Sequence, residues 1–460
     1  MHFLNAPPPA MLPDTTPIQL LLVSPKGPLY RHNTGIFRKS LRYQPLTLAT
    51  LAALVPADLN VVTRIVDESV EALPEFPEAD LIGITIITGT APRAYAMADL
   101  WRKQGLTVVI GGPHATLLPD EAKTHADAVV TGYAEHSWPR LLRDFATDNL
   151  QPLYVQEEDF QFPPNMPFAR RDLLPSSRFL TPHVFEAGRS CLHKCEFCVA
   201  PTAWGRRHYQ KPVSWVLEDI RRTKAKRCLF IDLNLVADKS YAKELFTGLI
   251  PLRVHWFGLA TALIGQDPAL LELMASSGCK GLLLGLESLE SQSRAETGKI
   301  FAQTIDYRAL LADLHHLDIA VQGCFVFGLD HDTIQVFDRT VEFALDTGVD
   351  LPRYAVLTPF PGTPLFSRLN QEGRILTRNW ELYDAQHVVF QPALMSVQEL
   401  QQGHEAAWKK TYRYSAIFRR LHKAGHLSLF AVAANLGYRY YAHRLHRFYV
   451  CGASSAWTLQ

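Results

Sequence analysis

The hydrophobic pattern changes character three times along the chain. Over the first ~145 residues, short apolar runs alternate with stretches of helical period. The runs cover residues 18–23 (broken by Gln19), 60–66, 80–86, 107–110 and 127–130, and helical patterns fall around 46–54, 91–104 and 120–125. Short buried strands alternating with helices predict a parallel sheet covered on both faces. Such sheets receive ligands beyond the carboxyl ends of their strands. The loops there, 24–30, 85–90, 111–114 and 131–135, carry Gly, Ser or Thr, which let backbone approach a bulky ligand.

Residues 151–177 are polar and rich in proline (Pro152, Pro163, Pro164, Pro167, Pro175), the composition of a linker. A second series follows, with strands expected at 184–187, 227–232, 254–260, 281–286, 320–327 and 353–357. Helical patterns separate them at 213–223, 239–249, 268–276, 305–315 and 334–347. Six strands with intervening helices predict a partial β/α barrel, with its chemistry at the C-terminal strand ends. Beyond Pro364 the pattern becomes helical and rich in Arg, His, Tyr and Trp. Ser396 with Glu399 three residues later forms a capping-box signature for a helix over 396–412. Residues 427–436 are short and apolar, and the stretch after Gly437 is basic and aromatic. The expected organisation is an α/β domain over 1–150, a linker over 151–180, a partial barrel over 181–364 and a helical extension over 365–460.

Composition narrows the function classes. The 460 residues exceed one ordinary core, and 47% hydrophobic with 20% charged residues is the balance of a globular protein. A net charge of +1 gives no overall electrostatic case for nucleic acid as a partner. No stretch approaches the roughly 20 apolar residues needed to cross a bilayer. The N-terminus lacks the basic start and apolar run of a secretory signal, so a cytoplasmic, reducing location is expected. There, clustered cysteines read as metal ligands before they read as disulfides.

Three of the seven cysteines, Cys191, Cys195 and Cys198, fall within eight residues at C-x3-C-x2-C spacing. Three thiolates from one loop can wrap one face of a cubane cluster and leave one iron open, whereas most such clusters take four cysteines. The alternative on the same residues is a Cys3His zinc site using His193 or a distant histidine. Zinc motifs more often come as two separated C-x2-C pairs, and no second pair exists here.

The motif, with Phe197 before its third cysteine and a position after the first barrel strand, resembles the signature of the radical S-adenosylmethionine (SAM) superfamily. That resemblance implies a [4Fe–4S] cluster whose open iron is chelated by SAM. One electron then splits the sulfonium to a 5′-deoxyadenosyl radical. Further segments match in order. Residues 229–235, with Asp232 and Asn234, resemble the family's F-x-D-D-N-F strand end, departing from it at Leu233 and Leu235. Gly285-Leu286-Glu287-Ser288 matches G-x-E-S, with Lys299 at a recurrent lysine position, and residues 325–329, with Phe327 and Gly328, resemble the segment lining the adenine pocket. By resemblance, Phe197, Asp232, Asn234, Glu287, Ser288, Phe327 and Gly328 bind the SAM cofactor. Taken alone, 285–288 also reads as a strand end with a capping Ser, and 325–329 as a buried strand ending in a turn glycine.

The N-terminal part resembles the cobalamin-binding domain that precedes many of these barrels, through residues 90–95, 108–114, 118–122 and 126–135. The resemblance implies a Rossmann-like fold binding cobalamin through Thr88, Gly111, Gly112, Gly132 and Glu135. Tyr133 replaces the usual Glu after Gly132, and the D-x-H-x-x-G motif of a lower cobalt ligand is absent, as is normal for this subgroup. His114 reads as a loop-bonding histidine rather than a cobalt ligand. The alternative is a domain that keeps the fold as a scaffold without the cofactor.

Residues 358–366, 395–400 and 408–421 resemble the barrel closure and helical extension of relatives that act on tetrapyrroles, hopanoid lipids and other large apolar molecules. Trp380, Tyr383, Trp408, Tyr412 and Tyr414 suit either a cover over an apolar substrate or ordinary helix packing. Residues 427–447 read as a packed terminal helix with a basic face, or as a segment lying on an anionic membrane surface. Cys228, Cys279 and Cys324 are expected to be buried small hydrophobes. The leading expectation is a cobalamin-dependent methyltransferase acting on a small-molecule or lipid-like substrate, with an external electron donor of flavodoxin or ferredoxin type. The rivals are a radical oxidative cyclase of tetrapyrrole type and a zinc-stabilised, non-catalytic binding protein.

Overall fold

The computed structural model describes residues 16–27, 40–296, 298 and 305–445, so Lys299 and Cys451 lie outside the described residues. The N-terminal strands are β1 (Ile18–Ser24), β2 (Ser40–Tyr43), β3 (Val61–Asp67), β4 (Leu81–Thr85), β5 (Thr107–Gly111), β6 (Ala128–Thr131) and β7 (Leu153–Val155). Six of them form one parallel sheet in the order β3-β1-β4-β5-β6-β7, while β2 pairs with β8 (Phe179–Thr181). Period-2 alternation sends side chains to both faces. Leu21, Val23, Ile82, Ile84, Val108 and Ile110 pack with helix Ala91–Lys103, whereas Leu20, Leu22, Leu81 and Val109 pack with Leu48, Trp138 and Leu142 on the other side. Because β1 has neighbours on both sides, connections leave it in opposite directions, which opens a crevice at its carboxyl end.

The sheet runs on into the segment expected to be linker. Leu153–Val155 pairs in parallel with β6, with Leu153 beside Val129 and Val155 beside Thr131. The proline-rich composition hid a three-residue edge strand, so the crossing between domains starts after Val155.

The second unit holds β9 (Val184–Phe185), β10 (Gly188–Arg189), β11 (Tyr209–Gln210), β12 (Arg227–Phe230), β13 (His255–Ala260), β14 (Cys279–Glu287), β15 (Ala320–Phe327) and β16 (Arg353–Val356). β9 and β12 to β16 form an open parallel sheet in sequence order, the partial barrel expected, and β10 and β11 form a short antiparallel ribbon at its first strand end. Helices Val213–Thr223, Lys239–Leu249, Pro268–Ser276, Tyr307–His316 and Gln335–Thr347 return the chain. Asp238, Asp267 and Asp306 cap three of them by accepting first-turn amides.

In the C-terminal extension, helix Val397–Thr411 starts with the capping box expected: Ser396 Oγ accepts from the Glu399 amide at 3.1 Å, and Glu399 accepts from the Ser396 amide at 2.7 Å. Trp408 is buried against Tyr354 and Tyr412 is buried in a stack on Trp408, so these two serve helix packing, while Tyr414 is exposed. Cys228 and Cys279 are buried as expected, while Cys324 is half-buried.

Candidate active site

The cysteine loop leaves β9 and is set by its surroundings before any ligand is considered. Asp232, just past β12, accepts the backbone amides of Ala187 (3.0 Å) and Gly188. Burial, and then the charge of Glu186, push its carboxyl up to about 7, against the lowering effect of those amides. Ser190 adopts φ +68°, a left-handed turn immediately before Cys191, and its hydroxyl donates to the Gly205 carbonyl at 2.7 Å. Cys198 then caps helix Val199–Trp204, and its amide donates to the Cys195 carbonyl at 3.1 Å. Cys195 is buried, Cys191 and Cys198 are half-buried, and none is in a disulfide. Phe197 packs against the barrel core.

A buried set of charges, of which the sequence singled out Glu135 alone and for cobalamin, ties this loop to the N-terminal sheet. Arg189, two residues before Cys191, pairs with Glu135 at 2.5 Å and Glu186 at 2.8 Å, and Lys211 also reaches Glu186 at 2.8 Å. Glu135 belongs to the loop after β6, so Arg189 bridges the two units. Its guanidinium lies 5.0 Å from the Tyr133 ring and 5.2 Å from Phe162. Burial opposes ionisation of Glu186, but Arg189 and Lys211 prevail and hold its carboxyl below the usual range. An arginine beside the first cysteine was the available signal, but its partners lie 54 and three residues away, with no periodic spacing to mark them.

The remaining barrel strand ends converge on the same side. Glu287 ends β14 at φ +58°, where the β14–β15 register shifts, an unusual conformation for a residue with a side chain. Ser288 is buried and its hydroxyl accepts the Glu290 amide at 3.1 Å. Asn234 is buried past β12, and its side-chain oxygen accepts weakly from the Thr261 amide at 3.4 Å. Phe327 stacks on Tyr354 at 5.4 Å and meets Phe337 edge-on at 4.8 Å. Gly328 adopts φ +99°, and a Cβ there would lie 2.8 Å from Leu400 of the extension. Core and extension packing thus account for both of these residues.

At the carboxyl end of the N-terminal sheet, Gly112 has φ +102°, and a Cβ would sit 2.7 Å from the Ile86 carbonyl. Gly132 has φ +72°, and a Cβ would sit 2.5 Å from Gln156. Gly111 and Thr88 stand beside them, on β5 and on the turn after β4. His114 is fully buried with both ring nitrogens engaged, Nδ1 with Thr88 Oγ1 at 3.2 Å and Nε2 with Glu121 at 3.1 Å. It therefore holds loops together, as expected, and has no nitrogen left for a metal. Trp380 of the extension donates its indole N–H to Glu121 at 3.1 Å, which fastens the extension over this end. The Leu365 amide donates to the Glu196 carbonyl at 3.1 Å, so the extension also starts on the cysteine loop.

The donor chemistry fits the implied groups. A pinned loop offers three thiolates, with the other described cysteines set apart within barrel strands. At the sheet end nearest that loop, Glu135 Oε2 and the Tyr133 hydroxyl are buried without a protein partner, which suits a polar cofactor reaching them. An open parallel barrel with three cysteines at its first strand end, docked on a doubly wound sheet, is the architecture of a cobalamin-domain radical SAM enzyme.

Comparison with known proteins agrees. Residues 41–142 match the B12 binding domain family, and residues 363–430 match a domain of unknown function, DUF4070. The chain is 31% identical over 396 residues to bacteriochlorophyllide d C-12(1)-methyltransferase of Chlorobaculum tepidum, covering 82% of this chain and 84% of the relative. It is 28% identical to bacteriochlorophyllide d C-8(2)-methyltransferase of the same organism, covering 79% and 86%. The radical SAM methyltransferase TsrM from Kitasatospora setae, solved with cobalamin and a [4Fe–4S] cluster, shares the fold with a TM-score of 0.63 at 13% identity, covering 78% of each chain. The chain belongs to the family of cobalamin-binding-domain radical SAM methyltransferases.

Proposed function

We propose that the protein methylates an unactivated carbon of a large apolar substrate of tetrapyrrole type. Cys191, Cys195 and Cys198 would hold a [4Fe–4S] cluster. Asp232, Asn234, Glu287 and Ser288, with Phe197, Phe327 and Gly328 behind them, would shape the SAM site. Thr88, Gly111, Gly112, Gly132 and Glu135 would cradle cobalamin. When bound, the cluster and SAM supply one-electron chemistry, and cobalamin supplies a transferable methyl group.

The chain's own work is placement. Asp232 fixes the start of the cysteine loop through the amides of Ala187 and Gly188. Arg189 locks that loop to Glu135, three residues past Gly132, and this contact between the cysteine loop and the glycine-bearing loop after β6 carries the reading. The Trp380–Glu121 bond closes the extension over the same end, where it can exclude water. An external flavodoxin- or ferredoxin-type donor would deliver the electron. The names of the two bacteriochlorophyllide relatives support a tetrapyrrole substrate.

Product mass tests the reaction. Anaerobically reconstituted enzyme, incubated with SAM, reductant and a bacteriochlorophyllide, should add one CH2 per methyl transferred. A product that has instead lost hydrogens would replace methylation with oxidative cyclisation.

A further inference from the structure

The last helix wears its apolar residues outward. In helix Leu429–Ala442, Leu429 is 91% exposed, Phe430 66% and Leu436 44%, and Ala433 and Gly437 are exposed between them. Positions 429, 430, 433, 436 and 437 recur at helical spacing and form one stripe. Leu427, in the preceding turn, and Phe418, on helix Tyr414–Ala424, are 50% and 62% exposed and extend the apolar surface. The opposite face packs Val432, Tyr438, Tyr441 and Ala442 against the core, so the exposed stripe is a second apolar face on the same helix. Asn435 is fully buried, donating to the Asp350 carbonyl at 3.2 Å and accepting from Arg420 at 2.9 Å.

Those polar contacts hold the stripe in a fixed pose. Arg420 is also buried and donates to the carbonyls of Val349 (2.8 Å) and Asp350 (2.7 Å), while His426 bonds the Asp350 carboxylate at 2.6 Å. The whole extension tip is thereby clamped to the barrel floor before β16, the end opposite the cysteine loop. A rigid patch of Leu and Phe kept out of the core this way marks an interaction site.

Charge identifies the partner. The chain carries 46 Lys and Arg against 45 Asp and Glu, yet nine of the basic residues and none of the acidic ones follow Glu405. Arg413, at the N-cap, and Lys423, in the last turn, are exposed on the helix next to the stripe, while Arg419 between them is paired with Asp346 at 2.5 Å. Two copies meeting through this face would bring like charges together. An anionic surface with an apolar interior satisfies both features.

We propose that this face docks the enzyme peripherally on an anionic lipid bilayer, with Leu427, Leu429 and Phe430 entering the acyl boundary and the neighbouring Arg and Lys meeting headgroups. No helix among the described residues is long and apolar enough to cross a membrane, so contact would be with one leaflet. The proposal stands apart from the reaction proposed above.

Co-sedimentation of full-length holoenzyme with vesicles tests it. Binding to phosphatidylcholine vesicles holding roughly 30% phosphatidylglycerol should exceed binding to phosphatidylcholine alone and fall with added salt. Leu429→Ser/Phe430→Ser should weaken binding about tenfold or more. Arg413→Gln/Lys423→Gln, which leaves the apolar stripe intact, should weaken it for anionic vesicles alone. Both variants should keep wild-type circular dichroism and SAM cleavage, since none of these side chains is in the core. Failure of the wild type to bind overturns the proposal, whether residues 446–460 cover the stripe or a second copy does. Equal binding by the wild type and Leu429→Ser/Phe430→Ser overturns it too.

Discussion

Arg189→Met is the most informative single change, because it removes one cation from between two buried carboxylates while keeping a long apolar stem beside Tyr133 and Phe162. Glu186 would retain Lys211 at 2.8 Å. Glu135, whose side chain is 2% exposed and whose Oε2 already has no protein partner, would lose the arginine. Stranding a buried charge in this way costs about 3–5 kcal/mol. The lost contacts to the two rings fall within that figure and do not add to it, since one side chain makes them all. Equilibrium urea unfolding should show the loss in the midpoint at unchanged slope. The double variant Arg189→Met/Glu135→Gln removes the stranded charge and should recover most of the stability. Linkage gives a second signature. The wild-type Glu186 carboxyl is held low, so its contribution is present above the unfolded value and lost as pH falls through the folded one; the gap between wild type and Arg189→Met should therefore narrow in acid. A single variant within ~1 kcal/mol of wild type, or a double variant no better than the single, would refute the reasoning.

Two further outcomes are expected. Gly112→Ala must hold an L side chain at φ +102° with its Cβ 2.7 Å from the Ile86 carbonyl; it should lose about 1–3 kcal/mol in thermal unfolding and take up less corrinoid, measured by absorbance after gel filtration. His426→Gln should cost the most near pH 5–6. The Asp350 bond raises the His426 pKa, so its contribution is full below the ordinary histidine value of about 6.5 and disappears as pH rises through the raised value. Burial pushes the Asp350 carboxyl up, but the bonds from His315 and His426 outweigh it and hold it low, so that part is lost instead in strong acid. A pH-independent difference between His426→Gln and wild type would contradict the assignment.

Elements with a strong period were legible in the sequence. Helices Val213–Thr223, Lys239–Leu249 and Pro268–Ser276 begin and end where their apolar spacing places them. Leu153–Val155 was not legible, because three residues beside Pro152 carry too little alternation to read as a strand. The cysteine loop announced itself through local spacing. What fixes it did not: Asp232 and Glu135 were legible as cofactor candidates, but their contacts to this loop, like that of Lys211, join three separate strand ends that only folding brings together. The aromatic residues of the extension were ambiguous for a related reason. Composition cannot separate Trp408, buried at the centre of an aromatic stack, from Trp380, which reaches across to Glu121 of the other unit.

The central claim is that three thiolates hold a cluster with one iron open to SAM. Its most direct test is anaerobic reconstitution followed by quantification of 5′-deoxyadenosine after addition of SAM and a one-electron reductant. The account predicts about four irons per chain and reductant-dependent 5′-deoxyadenosine, both lost when Cys191, Cys195 and Cys198 are all changed to Ala. A colourless chain that holds one zinc and leaves SAM intact would contradict it.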